Sequence, residues 1–116
     1  MDMIIGKTPV KIDCGDTVIE FTFSDGSTCK WFHEQDCCES VTVEDVNGDW
    51  LDLIGVPLLV ADERSSTAPA PSEWDSATWT FYTFRSIKGS VDVRWLGESN
   101  GYYSESVDFE FTERAP

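Results

Sequence analysis

The residues best equipped for chemistry lie in one short run, F-H-E-Q-D-C-C-E-S-V. It holds the single histidine, His33, and the adjacent thiols Cys37 and Cys38. Imidazole and thiolate are preferred zinc ligands, and these three with Cys14 or Cys29 would supply four donors. The spacing argues against it. Neighbouring cysteines on an extended chain face opposite sides, and no C-x-x-C is present. Buried free thiols, in effect small apolar groups, are the plainer reading, and no metal is expected. A thiol nucleophile with His33 as base, and Asp36 or Glu39 orienting the ring, is the enzymatic reading. The surrounding acids would raise a thiol pKa and suppress the thiolate. The chain is therefore expected not to be an enzyme and to require no cofactor.

Two further strings invite a ligand. Asp45-Val46-Asn47-Gly48-Asp49 has the look of a calcium loop. An EF-hand, however, needs glycine at its sixth position and glutamate at its twelfth. Here the glycine is fourth and the twelfth residue is Val56. An Asn-Gly turn followed by an Asp helix cap explains the string without an ion. Trp95 to Ser104, W-L-G-E-S-N-G-Y-Y-S, reads as an aromatic, polar hairpin tip. Asn100, Tyr102 and Tyr103 could hydrogen-bond and stack on a base, with Arg85, Lys88 and Arg94 on the same hairpin supplying positive charge. The plainer reading is a loop with ordinary amphipathic tyrosines.

Charge is the strongest bulk signal. Between Lys30 and Arg64 there is no Lys or Arg, and nine acids: Glu34, Asp36, Glu39, Glu44, Asp45, Asp49, Asp52, Asp62 and Glu63. The formal net charge of -14 opposes direct binding to nucleic acid or an anionic membrane. It is comparable to about seven base pairs of duplex, so an acidic face could compete with DNA for a basic groove. Solubility alone is the plainer explanation.

These residues must be positioned by a small fold. A chain of 116 residues suits a single domain, 1–116. Its five Trp, seven Phe and three Tyr argue for a packed core and against disorder. The start, M-D-M-I-I-G-K-T-P-V-K, lacks the signal-peptide pattern, and no run approaches about 20 apolar residues. A cytosolic setting with reduced thiols follows.

Period-two alternation dominates. Thr17 to Phe23, an Asp25-Gly26 turn and Ser27 to His33 predict a hairpin. Ser24 opposite Ser27 places Phe21 against Lys30 and Ile19 against Phe32, so Ile19, Phe21, Phe23 and Phe32 share one face. Val18, Cys29, Trp31 and His33 share the other. Val41 to Asp45 reads as a strand, Asn47-Gly48 as a turn, and Asp49 as the N-cap of a helix of about two turns, stopped by Gly55 and Pro57. Pro57 to Ala61 reads as a strand and Arg64 to Ser72 as a flexible loop. Ala77 to Arg85, Val91 to Leu96 and Tyr102 to Thr112 predict a three-stranded meander. In it Arg85 faces Asp92, Phe84 faces Val93 and Tyr82 faces Trp95. A three-residue loop with Gly101 left-handed puts Val107 against Val93 and Phe109 against Val91. Tyr82, Phe84, Val91, Val93, Trp95, Val107, Phe109 and Phe111 then form one apolar face. The expected class is mainly β (α+β), with antiparallel sheets, a C-terminal three-stranded meander and one short helix.

The strings H-E-Q-D-C-C-E-S-V, E-D-V-N-G-D-W-L-D-L-I-G-V-P-L-L-V-A-D-E and T-F-Y-T-F-R-S-I-K-G-S-V-D-V-R-W-L-G-E-S-N-G-Y-Y-S resemble a family of small domains of unknown function in bacteriophage and prophage genomes. The resemblance spans roughly residues 17 to 112, and Q-D-C-C-E and S-N-G-Y-Y-S are its most distinctive parts. It implies phage origin and action inside a bacterial cell, and nothing about catalysis. The leading expectation is a non-enzymatic phage accessory protein in the host cytoplasm. It would inhibit a host defence protein of basic surface through Glu34, Asp36, Glu39, Glu44, Asp45, Asp49 and Asp52. The alternatives are a binder that sequesters a nucleotide signal through Arg85, Lys88, Arg94, Asn100, Tyr102 and Tyr103, and a metal-stabilised domain built on His33, Cys37 and Cys38.

Overall fold

Alternating apolar residues need a second apolar surface to cover them, and here they build two four-stranded antiparallel sheets facing one another. The computed structural model describes residues 1–34, 39–68, 76–100 and 105–113. The strands are β1 (Pro9–Cys14), β2 (Val18–Phe23), β3 (Thr28–Phe32), β4 (Glu39–Asn47), β5 (Val60–Ala68), β6 (Ser76–Arg85), β7 (Ser90–Ser99) and β8 (Asp108–Thr112). One sheet has the order β1-β2-β3-β8 and the other β4-β7-β6-β5. The mainly β, antiparallel reading holds. The expected helix is a single 3-10 turn at Trp50–Asp52, where Asp49 accepts a hydrogen bond from the Leu51 amide at 2.9 Å.

The first hairpin departs from expectation by one residue. Ile19 faces Trp31 and Phe21 faces Cys29. The connection is three residues, Ser24-Asp25-Gly26, with Gly26 at φ +87°. The Gly26 amide donates to Phe23 O at 3.0 Å, and the Asp25 carboxylate accepts from the Ser27 amide at 2.9 Å. A one-residue slip exchanges the faces of a strand. Trp31 and Cys29 therefore enter the core and Phe32 turns outward, the reverse of the expected assignment.

The β6–β7 hairpin slips by two residues instead. Arg85 faces Ser90, Phe84 faces Val91 and Tyr82 faces Val93. Ser86 to Gly89 form the connection, closed by the Ser86 amide on Gly89 O at 2.8 Å. A slip of two preserves the faces, so Tyr82, Phe84, Val91, Val93 and Trp95 are buried as expected.

The C-terminal meander is corrected. β8 leaves β7 and pairs with β3 in the other sheet, Trp31 against Phe109 and Cys29 against Phe111. Phe109 and Phe111 still pack on the core, from the facing sheet, and Val107 does so from the segment before β8. Arg64 to Ala68, expected in a loop, continue β5 against Phe81 to Ala77. Gly101, like residues 69–72 of the expected loop, lies outside the described residues.

Trp31 joins the layers: its ring centre lies 4.8 Å from Phe21, 5.0 Å from Phe84, 5.2 Å from Phe109 and 5.9 Å from Tyr82. In β4, a bulge between Val43 and Asp45 resets the alternation. Val41 and Val43 pair with Gly97 and Trp95, and Val46 with Val93, all on the inner face.

Candidate functional site

His33 follows β3 and Glu39 opens β4, and the two side chains meet in the interior. His33 Nε2 lies 2.8 Å from Glu39 Oε1, with side-chain exposures of 5% and 4%. The other ring nitrogen, Nδ1, lies 2.8 Å from the carbonyl oxygen of Ser106 and 3.9 Å from Asp108 Oδ2. A carbonyl only accepts, so Nδ1 carries the hydrogen of that bond. Both ring nitrogens are engaged within the protein. Glu39 is thus no part of a solvated acidic face, contrary to expectation: it is the buried partner of His33.

This pair links the chain on either side of the two most distinctive strings. His33 and Glu39 bracket residues 34–38, and Ser99 and Ser106 bracket 100–105. Glu39 faces Ser99 across β4 and β7, and His33 reaches Ser106. Asp36, Cys37, Cys38, Tyr102 and Tyr103 themselves lie outside the described residues. Among the described residues, no group of three His, Cys, Asp or Glu could hold a metal. Cys29 is buried on β3, and burial pushes its thiol up to about 12. Cys14, exposed on β1, is also raised, chiefly by burial of its sulfur. Neither thiol has the low pKa of a nucleophile.

The remaining acids do not form one patch. Glu34, Glu44, Asp45 and Asp49 are exposed, and Asp52 is half-buried. Asp62 and Glu63 are exposed on β5. Glu44 and Asp45 sit on β4, at the other edge of the same sheet, about 14 Å away by strand spacing. In the string proposed for calcium, Asp49 caps the Trp50–Asp52 turn instead.

Of the expected nucleotide cluster, Tyr102 and Tyr103 lie outside the described residues, and the other four are spread along the β6–β7 hairpin. Lys88 lies in the β6–β7 turn and donates to Ile54 O at 2.9 Å, with Arg85 exposed beside it at the end of β6. Arg94, halfway along β7, lies over the Trp79 ring at 4.8 Å, on the outer face. Asn100 follows the far end of β7. The ten residues of β7 separate Lys88 from Asn100 by about 33 Å.

A cleft that sequence reasoning missed lies between β5, β6 and the segment before β8. It has a volume of about 410 Å³ and is lined by Glu63, Ser65, Ser76, Thr78, Thr80 and Glu105, among others. Glu105 accepts from Thr78 Oγ1 at 2.8 Å and Ser99 Oγ at 2.5 Å. Burial would raise its pKa, but hydrogen bonds from Ser99, Ser76 and Thr78 outweigh this and hold it below the ordinary glutamate value. Nearby, burial and then the neighbouring Glu63 carboxylate push the Tyr82 phenol well above its usual range. The signal was present: Ser76, Thr78 and Thr80 continue, at period two, the inward stripe of Tyr82 and Phe84.

No curated protein and no solved structure matches the chain. The profile of one family, described as a domain of unknown function (DUF7448), matches residues 2–109. The chain belongs to that family.

Proposed function

We propose that this chain is a non-enzymatic binding protein that engages a basic partner through its exposed carboxylates, acting as a phage accessory protein against a host defence protein in the bacterial cytoplasm. The observation that carries the reading is the exposure of Glu34, Glu44, Asp45, Asp49, Asp62 and Glu63 along a stretch without Lys or Arg. Two of the few lysines are engaged elsewhere, Lys7 with Asp25 and Lys11 with Asp13. A net charge of -14 speeds encounter with a cationic surface more than it tightens the final complex. The resemblance to phage and prophage domains supplies the setting.

The test is native mass spectrometry of the chain recovered from bacterial cells that express it. A bound host protein with a basic surface, released by salt and displaced by duplex DNA, is expected. Changing Glu34→Gln, Glu44→Gln, Asp45→Asn and Asp49→Asn together should slow association with that protein about tenfold or more and flatten its salt dependence. Stability should hardly change, because exposed charges contribute little and Asn caps a helix as well as Asp does. Capture that ignores salt, with unaltered association of the variant, would refute the reading. So would a co-purifying nucleotide with no protein.

A further inference from the structure

The four sheet edges are not alike. β1 carries a bulge between Pro9 and Lys11, β4 another between Val43 and Asp45, and β8 is only five residues long. Bulges and short strands are means by which an edge avoids pairing with another chain. β5 has neither. Its nine residues pair without interruption from Val60–Arg85 to Ala68–Ala77, and V-A-D-E-R-S-S-T-A holds no Pro or Lys. It ends the order β4-β7-β6-β5, and residues 62–67 are exposed. Among the described residues no strand pairs with its outer side, which presents about 30 Å of main-chain donors and acceptors.

Among the described residues, the side of the sandwich next to β5 is hollowed. Glu63 and Ser65 form one wall of the hydroxyl-lined cleft that contains Glu105. Glu63 and Val107 also line a second hollow of about 440 Å³, so the two hollows run together alongside the strand. Tyr82 is 1% exposed, and its hydroxyl lies beside the Glu63 carboxylate.

We propose that β5 is an acceptor edge for an extended basic segment of the partner, which pairs as an added strand and places alternate Lys or Arg side chains in the groove beside Glu63 and Glu105. The inference rests on the basic-partner reading above and names the surface that would serve it. In strand addition, main-chain bonds supply affinity and alternate side chains supply specificity. Carboxylates and hydroxyl oxygens along one wall suit ammonium or guanidinium donors. A second copy of this chain would instead bring another net charge of -14, with its own Asp62 and Glu63 at the same edge.

The probe is a synthetic peptide of about ten residues alternating lysine and threonine, long enough to span the edge. It is expected to bind and to slow hydrogen exchange at amides of β5, leaving β1 and β4 unchanged. Glu63→Lys should weaken it about tenfold or more, and Glu20→Lys, which changes net charge equally on the exposed face of β2 in the other sheet, about twofold at most. The same peptide N-methylated at alternate residues keeps its charge but cannot donate along one side, and should lose binding. An N-methylated peptide that binds as tightly, or equal losses from Glu63→Lys and Glu20→Lys, would overturn the edge and leave the basic-partner reading standing. A peptide that does not bind at millimolar concentration overturns the edge as well. Failure of the native mass spectrometry test would remove the basic partner itself.

Discussion

Glu39→Ala is expected to destabilise the fold far more than substitution of any exposed acid. Nδ1 of His33 donates to Ser106 O, and Nε2 lies 2.8 Å from Glu39 Oε1. Two lone pairs do not attract, so one more proton is shared between Nε2 and Oε1. With exposures of 5% and 4%, water cannot replace a lost partner. Breaking such a buried pair from one side costs about 3–5 kcal/mol, a large share of the roughly 5–15 kcal/mol that holds a domain together. Glu39→Gln keeps the shape and offers an amide hydrogen to Nε2. A charge-assisted bond of about 1.5–3 kcal/mol gives way to a neutral one of about 0.5–1.5, a loss of about 1–2 kcal/mol. The exposed Glu44→Ala should stay within about 0.5 kcal/mol. Urea unfolding followed by tryptophan fluorescence measures all three, since Trp31 and Trp95 are buried. A loss below about 1 kcal/mol for Glu39→Ala, or equal losses for Ala and Gln, would refute the argument.

Gly97→Ala should cost about 1–3 kcal/mol by overpacking, because its Cβ would stand 2.2 Å from Glu105 O and 2.8 Å from Glu105 Cβ; an unchanged melting temperature would sink the docking of the 105–107 segment on β7. Cys14 should react with a thiol reagent in the native state and Cys29 only on unfolding, since one is exposed and the other buried, and mass spectrometry of labelled peptides reads this directly. Because Cys29 keeps its proton in the fold up to about 12 while the unfolded thiol loses it near 9.0, stability should fall as pH rises between those values, and Cys29→Ala should flatten that slope. Glu105 has the opposite sign. Its folded pKa lies below the ordinary 4.5, so its contribution is present above that value and lost as pH falls through the folded one; a Glu105→Gln variant with an unaltered acid limb in its unfolding profile would contradict this.

Some elements were legible from local chemistry. The Asp49 cap needs only its own carboxylate and an amide two residues on, and the structure has it. The inward stripe Tyr82, Phe84, Val91, Val93 and Trp95 survived a register slip of two because strand faces repeat every second residue. The first hairpin did not survive a slip of one. Asp25-Gly26 marks a turn but leaves open whether the loop has two or three residues, and that count decided whether Trp31 or Phe32 was buried. Among the site residues, Glu44, Asp45 and Asp49 are as exposed as their charge suggested, but Glu39 is not. That Glu39 could orient the His33 ring was legible from their proximity in the chain; that both side chains would be buried was not.

The sequence by itself determined the class: alternating aromatic and β-branched runs with Asn-Gly and Asp-Gly turns, an acidic stretch without basic residues, and a core-facing role for Val107, Phe109 and Phe111. Only the tertiary structure decided which sheet Phe109 and Phe111 belong to. It also decided that β5 stands at an edge and that Glu63 and Glu105 share a groove. The physical reason is that alternation specifies which side of a strand is apolar, a local property of the backbone. Strand order depends on contacts between distant residues, where the same apolar stripe packs equally well from either sheet.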